Sequence, residues 1–144
     1  MIITDEALLR VKCESVLPGE VDDLRKKLVK TLEWSAQQGR PGVGLACPQI
    51  GITKAMAIVR VDEQHLDLVN AKITKQYHQF EFDGEGCLSF PGRFERTLRY
   101  KEVVVEDNLV WPYKFIVTGF TAVVVQHELD HLKGVLLPDV AIEK

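Results

Sequence analysis

Apolar residues recur at three- and four-residue steps in two parts of the chain, a spacing that places them on one face of an α-helix. The first pattern lies within residues 20–38, where it consists of Val21, Leu24, Leu28, Leu32 and Ala36. Gly39 follows at a position where helices often end in a left-handed residue, and Pro41 prevents the helix from continuing. The pattern predicts an N-terminal amphipathic helix that packs by one face.

The second pattern predicts a helix over residues 119–133. Thr118 precedes it as a candidate N-terminal cap, and Gly134 follows it as the residue that closes it. One stripe of this helix combines apolar side chains with two histidines: Phe120, Val123, Val124, His127 and His131. Because the stripe is otherwise apolar, we expect a buried helix with both imidazoles inside the protein.

Runs of apolar and β-branched residues that are typical of strands occupy the rest of the chain, at 54–61, 66–74, 79–82, 98–106 and 110–117. Only Asp107-Asn108-Leu109 separates the last two, so we expect a hairpin there. The sequence shows no internal repeat and no long linker. It predicts an α+β fold in one domain over residues 1–144, with antiparallel strands packed around a central helix.

The composition narrows the classes of partner. The 144 residues are 46% hydrophobic and 27% charged, with a net charge of −3, which is typical of a soluble globular protein. The chain has no apolar run of the ~20 residues that span a membrane and no clustered basic surface for nucleic acid. The acidic N-terminus is unlike a signal peptide. We therefore expect a cytoplasmic protein, although a processed organellar chain would have the same features.

The strongest chemical motif is the segment HELDH at residues 127–131. On a helix, His127 and His131 lie one turn apart on the same face, so both imidazoles can bind one metal ion, with Glu128 beside them. The alternative is a helix with two core histidines that only hydrogen-bond. The motif arises by chance in roughly a few chains per thousand of this length, which favours the metal site.

A catalytic metal site usually takes three protein ligands and keeps one open position. Leu137 stands where metzincin proteases carry their third histidine, and only 13 residues follow His131, so the third ligand must lie upstream. Cys87, in the glycine-containing segment EGCLS, is the favoured candidate. His65 and His78 are alternatives in more polar surroundings. The three cysteines are widely spaced and form no CxxC pair, so we expect no disulfide framework.

Three segments in this order resemble the peptide deformylase family: GVGLACPQ at 42–49, EGCLS at 85–89 and QHELDH at 126–131. The resemblance implies a metal-dependent hydrolase that removes the N-formyl group of formylmethionine from nascent polypeptides and releases formate. It implies Cys87, His127 and His131 as metal ligands and Glu128 as the group that transfers protons. It further implies that Gln49 and the backbone N–H of Leu88 stabilise the oxyanion.

The remaining implied residues bind substrate or support the ligands. The expected substrate-binding residues are Val43, Gly44, Glu85, Gly86, Phe120, Val123 and Val124. We expect Arg99 to pair with Glu85 or Asp130 and so to fix the metal ligands. Cys47 replaces the usual alanine of the first segment, and residues 93–96 differ from the common form of the family, which affects contacts to the substrate backbone.

The resemblance also implies one divalent metal ion per chain, Fe(II) in the cell, with nickel, cobalt or zinc possible in purified protein. We expect a monomer that binds N-formylmethionyl peptides. The chain resembles short family members without a C-terminal helical extension, and Pro138 is expected to discourage a helix there, so ribosome association should be weak or absent. A zinc endopeptidase would lack its third ligand here, and a silent binding protein would normally have lost Glu128.

Overall fold

The computed structural model describes residues 1–142 of the chain. Its helices are α1 (Glu6–Leu9), α2 (Val21–Gln37), α3 (Gly119–Leu132) and α4 (Leu137–Val140), with 3₁₀ turns at Pro18–Glu20 and Cys47–Ile50. Its strands are β1 (Gly44–Ala46), β2 (Met56–Val61), β3 (Gln64–Val69), β4 (Lys72–Gly86), β5 (Phe94–Glu106) and β6 (Phe115–Thr118).

The strands form two antiparallel sheets of three strands each, in the orders β1-β2-β3 and β4-β5-β6. In the first sheet Leu45 pairs with Ile58, and in the second Phe80 pairs with Arg99. The predicted mixture of helices and antiparallel strands is therefore confirmed. Helix α3 packs against strands of both sheets, and its residues Ala122, Val125 and Leu129 belong to the core that it shares with them.

Helix α2 covers the first sheet with one buried face. Leu24, Leu28 and Leu32 lie in that face, as the pattern predicts. The last position is wrong: Ser35 is buried and Ala36 is exposed, because Ser35 lies two helical turns after Leu28. The Ser35 hydroxyl donates a 2.6 Å hydrogen bond to the carbonyl of Arg40, where the chain turns back beyond the helix.

Helix α3 is buried almost all round, with eleven of its fourteen residues buried. It begins after Thr118 and is followed by Gly134 at φ +77°, as predicted. The predicted side-chain cap is wrong, since the hydroxyl of Thr118 makes no capping hydrogen bond within the described part of the chain. A helix that arrives directly from strand β6 is held by packing and does not depend on this cap.

Several strands have other bounds in the structure than predicted, with β2 beginning at Met56 and β5 at Phe94. The predicted strand at 66–74 is two strands, because Asn70 at φ 56° turns the chain between β3 and β4. The short strand at 79–82 is the middle of the long β4. The predicted hairpin pairs β5 with β6, but β6 does not begin until Phe115. Pro112 has no N–H that could pair with a neighbouring strand. The side chain of Asn108 accepts a 2.6 Å hydrogen bond from the Val69 N–H.

The expectation about Pro138 is also wrong. Pro138 lies in the first turn of helix α4, where a proline is tolerated because its missing N–H has no intrahelical partner. Residues 143 and 144, the end of the predicted domain, lie outside the described residues. Within residues 1–142, none of the helices combines the length and apolar character needed to cross a membrane.

Candidate metal centre

Strand β4 and helix α3 bring the three expected ligands together. Cys87 follows the last residue of β4, and its Sγ lies 3.4 Å from Nε2 of His131. Cys87, His127 and His131 each offer one ligand atom, and the three atoms lie within 4.8 Å of one another. A sulfur and a nitrogen that bind one ion in tetrahedral geometry are separated by about 3.5 Å. The cluster therefore fits the size of a single metal ion.

His127 is oriented from behind by Glu85. Its Nδ1 lies 2.8 Å from Oε2 of Glu85, so a proton on Nδ1 donates to the carboxylate and leaves Nε2 for a metal. Burial alone would raise the pKa of Glu85, but hydrogen bonds from Arg99 and His127 outweigh burial and lower that pKa to about 2. Glu85 is therefore a carboxylate at neutral pH.

Arg99 links Glu85 to Asp130 by hydrogen bonds. Its Nη2 and Nε donate to the two carboxylate oxygens of Glu85 at 2.6 and 2.8 Å, and its Nη1 donates to Asp130 at 2.7 Å. The Arg99 side chain is only 5% exposed. Thr97 donates a further hydrogen bond to Glu85 at 2.8 Å. Glu85 is expected from the sequence to bind substrate, whereas in the structure its Oε1 accepts hydrogen bonds from Thr97 and Arg99 and its Oε2 pairs with Arg99 and His127.

Glu128 differs from Glu85 because, among residues 1–142, no arginine or lysine forms an ion pair with it, whereas Glu85 pairs with Arg99 at 2.6 Å. It is 3% exposed, and burial raises its pKa to about 7. Its Oε1 is buried without a hydrogen-bond partner among the described residues. A Cβ at Gly44 would lie 2.5 Å from Oε2 of Glu128, so the glycine makes room for this carboxylate. A buried carboxyl with a pKa near neutrality suits proton transfer.

His131 has the properties of a neutral ligand. Burial lowers its pKa well below the usual value, which favours the uncharged imidazole that can bind a metal. Its Nδ1 is buried and has no hydrogen-bond partner within residues 1–142. Together with the free thiol of Cys87, this donor set is chemically suited to Zn²⁺ or Fe²⁺.

Gln49 reaches the cluster from the 3₁₀ turn Cys47–Ile50. Its Oε1 accepts a hydrogen bond from the Ala46 N–H at 3.0 Å, which turns the amide nitrogen toward the site. That nitrogen donates to Ser89 Oγ at 3.0 Å and lies 3.6 Å from Cys87 Sγ. Ser89, which sequence analysis did not select, is buried at the end of the EGCLS segment. The sequence feature that could have identified Ser89 is its position in the EGCLS segment.

A second residue that sequence analysis missed is Arg40. Its Nη2 donates a 2.6 Å hydrogen bond to the carbonyl of Leu88, the residue after Cys87. Arg40 lies in the loop after α2, and the pairing with Leu88 spans 48 positions of the sequence. Nothing local in the sequence indicates this contact.

An open cavity of about 360 Å³ adjoins the cluster. The expected substrate-binding residues all line it: Val43, Gly44, Glu85, Gly86, Phe120, Val123 and Val124. Gln49, Cys87, Leu88, His127 and Glu128 face the same cavity. Phe82, which sequence analysis did not select, stacks on Phe120 at a ring separation of 5.9 Å. The cavity is thus apolar on one part of its wall and polar on another.

The alternative ligands and the second cysteine of the motifs lie elsewhere. His65 and His78 are exposed on β3 and β4 and are not part of the metal-binding cluster found in residues 1–142. Cys47 is fully buried in the apolar core, and burial raises the pKa of its thiol to about 12. It is therefore an unreactive packing residue, as its position in the motif predicts.

A helix that presents two histidines and a buried carboxyl to a cysteine, at the wall of an open cavity, defines the site of a metal-dependent hydrolase. The model of the family described as Polypeptide deformylase matches residues 1–144. The chain belongs to the peptide deformylase family. It is accordingly a metal-dependent enzyme that removes the N-formyl group from formylmethionine of nascent polypeptides and releases formate.

Individual relatives agree with this family. The chain is 46% identical over 104 residues to the peptide deformylase of Syntrophomonas wolfei, covering 71% of this chain and 68% of that protein. It is 35% identical to the peptide deformylase of Borreliella burgdorferi, covering 100% of this chain and 88% of that protein. The crystal structure of peptide deformylase from Thermotoga maritima superposes with a TM-score of 0.85 at 29% identity, covering 99% of this chain and 97% of that one.

Proposed function

We propose that Cys87, His127 and His131 hold one divalent metal ion and that the surrounding residues carry out the deformylation. The observation that supports this most directly is the convergence of the three ligand atoms within 4.8 Å. When bound, the ion acidifies water and polarises the formyl carbonyl. The ion is Fe(II) in the cell, and nickel, cobalt or zinc can take the same ligands in purified protein.

Glu128 is the general base and then the general acid. Its buried carboxyl, with a pKa of about 7, accepts the proton of the attacking water while the water oxygen bonds to the formyl carbon. It then donates that proton to the departing amine nitrogen as the C–N bond breaks. The products are formate and a peptide with a free amino terminus. Gly44 leaves the space in which this carboxyl lies.

Gln49 and the backbone N–H of Leu88 stabilise the negative charge that develops on the formyl oxygen. The Gln49 amide is held by Ala46 and Ser89, so its nitrogen is aimed before the substrate arrives. Arg40 holds the carbonyl of Leu88 and so restrains the backbone beside the second donor. One such donor contributes roughly 100- to 1000-fold in kcat, because it costs no reorganisation during the reaction.

The apolar part of the cavity binds the methionine side chain. Val43, Phe120, Val123 and Val124 supply aliphatic and aromatic surface, against which a thioether packs well. Gly86 lines the same cavity, and its missing side chain leaves room for the Phe94 ring, which would lie 2.9 Å from a Cβ. Glu85 acts instead through His127, together with Arg99 and Asp130, as a group that positions the metal ligands.

The domain organisation, the compartment and the oligomeric state belong to the same proposal. We propose a single catalytic domain organised around helix α3, with the amphipathic helix α2 packed outside the first sheet. We propose that the enzyme is a cytoplasmic monomer that acts on N-formylmethionyl peptides. Weak ribosome association stays a prediction from the sequence.

Formate release from formyl-Met-Ala-Ser tests this function. The expected result is metal-dependent release that stops after chelation and returns with added metal ion. A buried-site variant, His131→Ala, should lose both activity and metal, whereas the exposed control His65→Ala should keep both. Cleavage of an internal peptide bond without formate release would indicate an endopeptidase and contradict the proposal.

A further inference from the structure

A second cavity, also of about 360 Å³, adjoins the cavity at the candidate metal centre. The two cavities share three lining residues, Phe82, Phe120 and Val123. The second cavity is otherwise lined by Phe80, Thr118 and Gly119 and by the polar residues His78, Lys101 and Glu102. None of the roles proposed above uses this second cavity.

The wall between the cavities consists mainly of two aromatic rings. Phe82 comes from strand β4 and Phe120 from the first turn of helix α3, and their rings stack at 5.9 Å with planes 26° apart. Phe80 meets Phe82 edge-on at 6.3 Å from the side of the second cavity. Phe120 is 48% exposed, so removing its ring leaves the buried core of α3 in place.

The first cavity limits what can reach this wall. Cys87, His127 and Glu128 line its polar part, where the formyl group must react. The side chain of the first residue then meets Phe82, Phe120, Val123 and Val124. A longer side chain that continues past these residues meets the two rings, beyond which lies the second cavity.

We infer that the stacked Phe82–Phe120 pair determines the length of the first side chain that the enzyme accepts, and that the second cavity is a latent subsite for a longer unbranched alkyl chain. The inference rests on the proposed function of the first cavity. The chemistry of the latent subsite favours alkyl groups, because the rings of Phe80, Phe82 and Phe120 line it. Lys101 places its Nζ 5.6 Å from the Phe80 ring centre, which keeps that charge on a ring face.

The test uses formyl-Xaa-Ala-Ser peptides in which Xaa is methionine, norleucine, 2-aminooctanoic acid or 2-aminodecanoic acid. For the unchanged enzyme, we expect kcat/KM to fall at least about tenfold from norleucine to 2-aminooctanoic acid, since the two added methylenes meet the ring pair and a single methylene that does not fit an apolar pocket already discriminates by about tenfold or more. In Phe120→Ala and Phe82→Ala, the kcat/KM for the 2-aminooctanoic peptide divided by that for the norleucine peptide should rise at least about tenfold.

Phe94→Ala is the matched control. Phe94 lines the first cavity but not the second and is not part of the stacked pair, so its loss removes a ring without removing either ring of the wall. Both peptides should then change by the same factor. Phe120→Leu, a smaller change at the exposed ring, should raise the same ratio less than Phe120→Ala and provides a variant less prone to unfolding.

The outcomes separate the inference from the function on which it rests. If the unchanged enzyme releases no formate from the methionine peptide, the proposed function fails. If it releases formate but accepts the 2-aminodecanoic peptide as well as the methionine peptide, the wall does not limit length. An unchanged ratio in folded Phe120→Ala and Phe82→Ala would equally overturn the inference.

Discussion

Helices α2 and α3 are similar in length but differ in what they bury. Helix α2 buries one apolar face against the first sheet and leaves its charged residues in solvent. Helix α3 buries nearly its whole circumference, including His127, Glu128 and His131. Burying such groups costs free energy unless partners satisfy them, and part of that support comes from β4 and β5 through Glu85 and Arg99. Helix α2 therefore stabilises the fold, whereas α3 buries polar groups that reduce stability and that its proposed chemistry requires.

The largest expected difference between the two regions concerns their cysteines. Cys87→Ala should reduce metal content from about one ion per chain to near zero and abolish formate release, because a two-histidine site lacks its thiolate. Cys47→Ala, the same change in the apolar core beneath α2, should keep both. Metal analysis of the purified variants checks this. Full metal content in Cys87→Ala would show that this residue is not a ligand.

Substitution of the glutamate on α3 should lower kcat by orders of magnitude more than substitution of the glutamate on α2. Glu128→Gln is expected to lower kcat by about 10²- to 10⁴-fold with metal retained, since the amide cannot accept the proton of water. Glu33→Gln, on the exposed side of α2, should change kcat less than twofold. Steady-state formate release provides the measurement. Loss of metal from Glu128→Gln would assign this residue to coordination.

Substitutions of Arg99 and Arg25 should lower the free energy of unfolding by different amounts. Arg99→Met leaves the buried Glu85 carboxylate without its guanidinium partner, which should cost about 3–5 kcal/mol of unfolding free energy. It should also weaken metal binding roughly 10- to 100-fold through His127. Arg25→Met breaks partly exposed pairs of α2 with Asp22 and Asp67 and should cost about 1 kcal/mol or less. Urea unfolding and metal titration measure both effects. Equal losses in the two variants would contradict the assigned difference.

The smallest expected effect on catalysis comes from the core of α2. Leu28 is fully buried, so Leu28→Ala should cost about 2–5 kcal/mol of stability through lost burial and a cavity. Because Leu28 lies outside the candidate metal centre, kcat per folded molecule should remain within twofold of the original. A large drop in kcat at a temperature where the variant is fully folded would show that α2 influences the site.

Local patterns were enough to predict the parts of the molecule that depend on neighbouring residues. The burial of Leu24, Leu28 and Leu32 follows from helical periodicity, and the end of α2 follows from Gly39 at φ +82°. The positions of His127 and His131 on one helix face follow from their spacing. The antiparallel α+β fold was also predictable from the order of elements.

Tertiary structure decided the contacts between residues far apart in the chain. The hydrogen bonds of Glu85 to Arg99 and His127 span 14 and 42 positions, and that of Arg40 to Leu88 spans 48. The stacking of Phe82 on Phe120 likewise joins a strand to a helix. Strand pairing and helix packing determine which distant side chains meet, whereas periodicity in the sequence reports only which face a residue occupies. The sequence by itself therefore determined the candidate ligands and the helix that carries His127 and His131, and the fold decided which side chains hold them and which residues line the cavity.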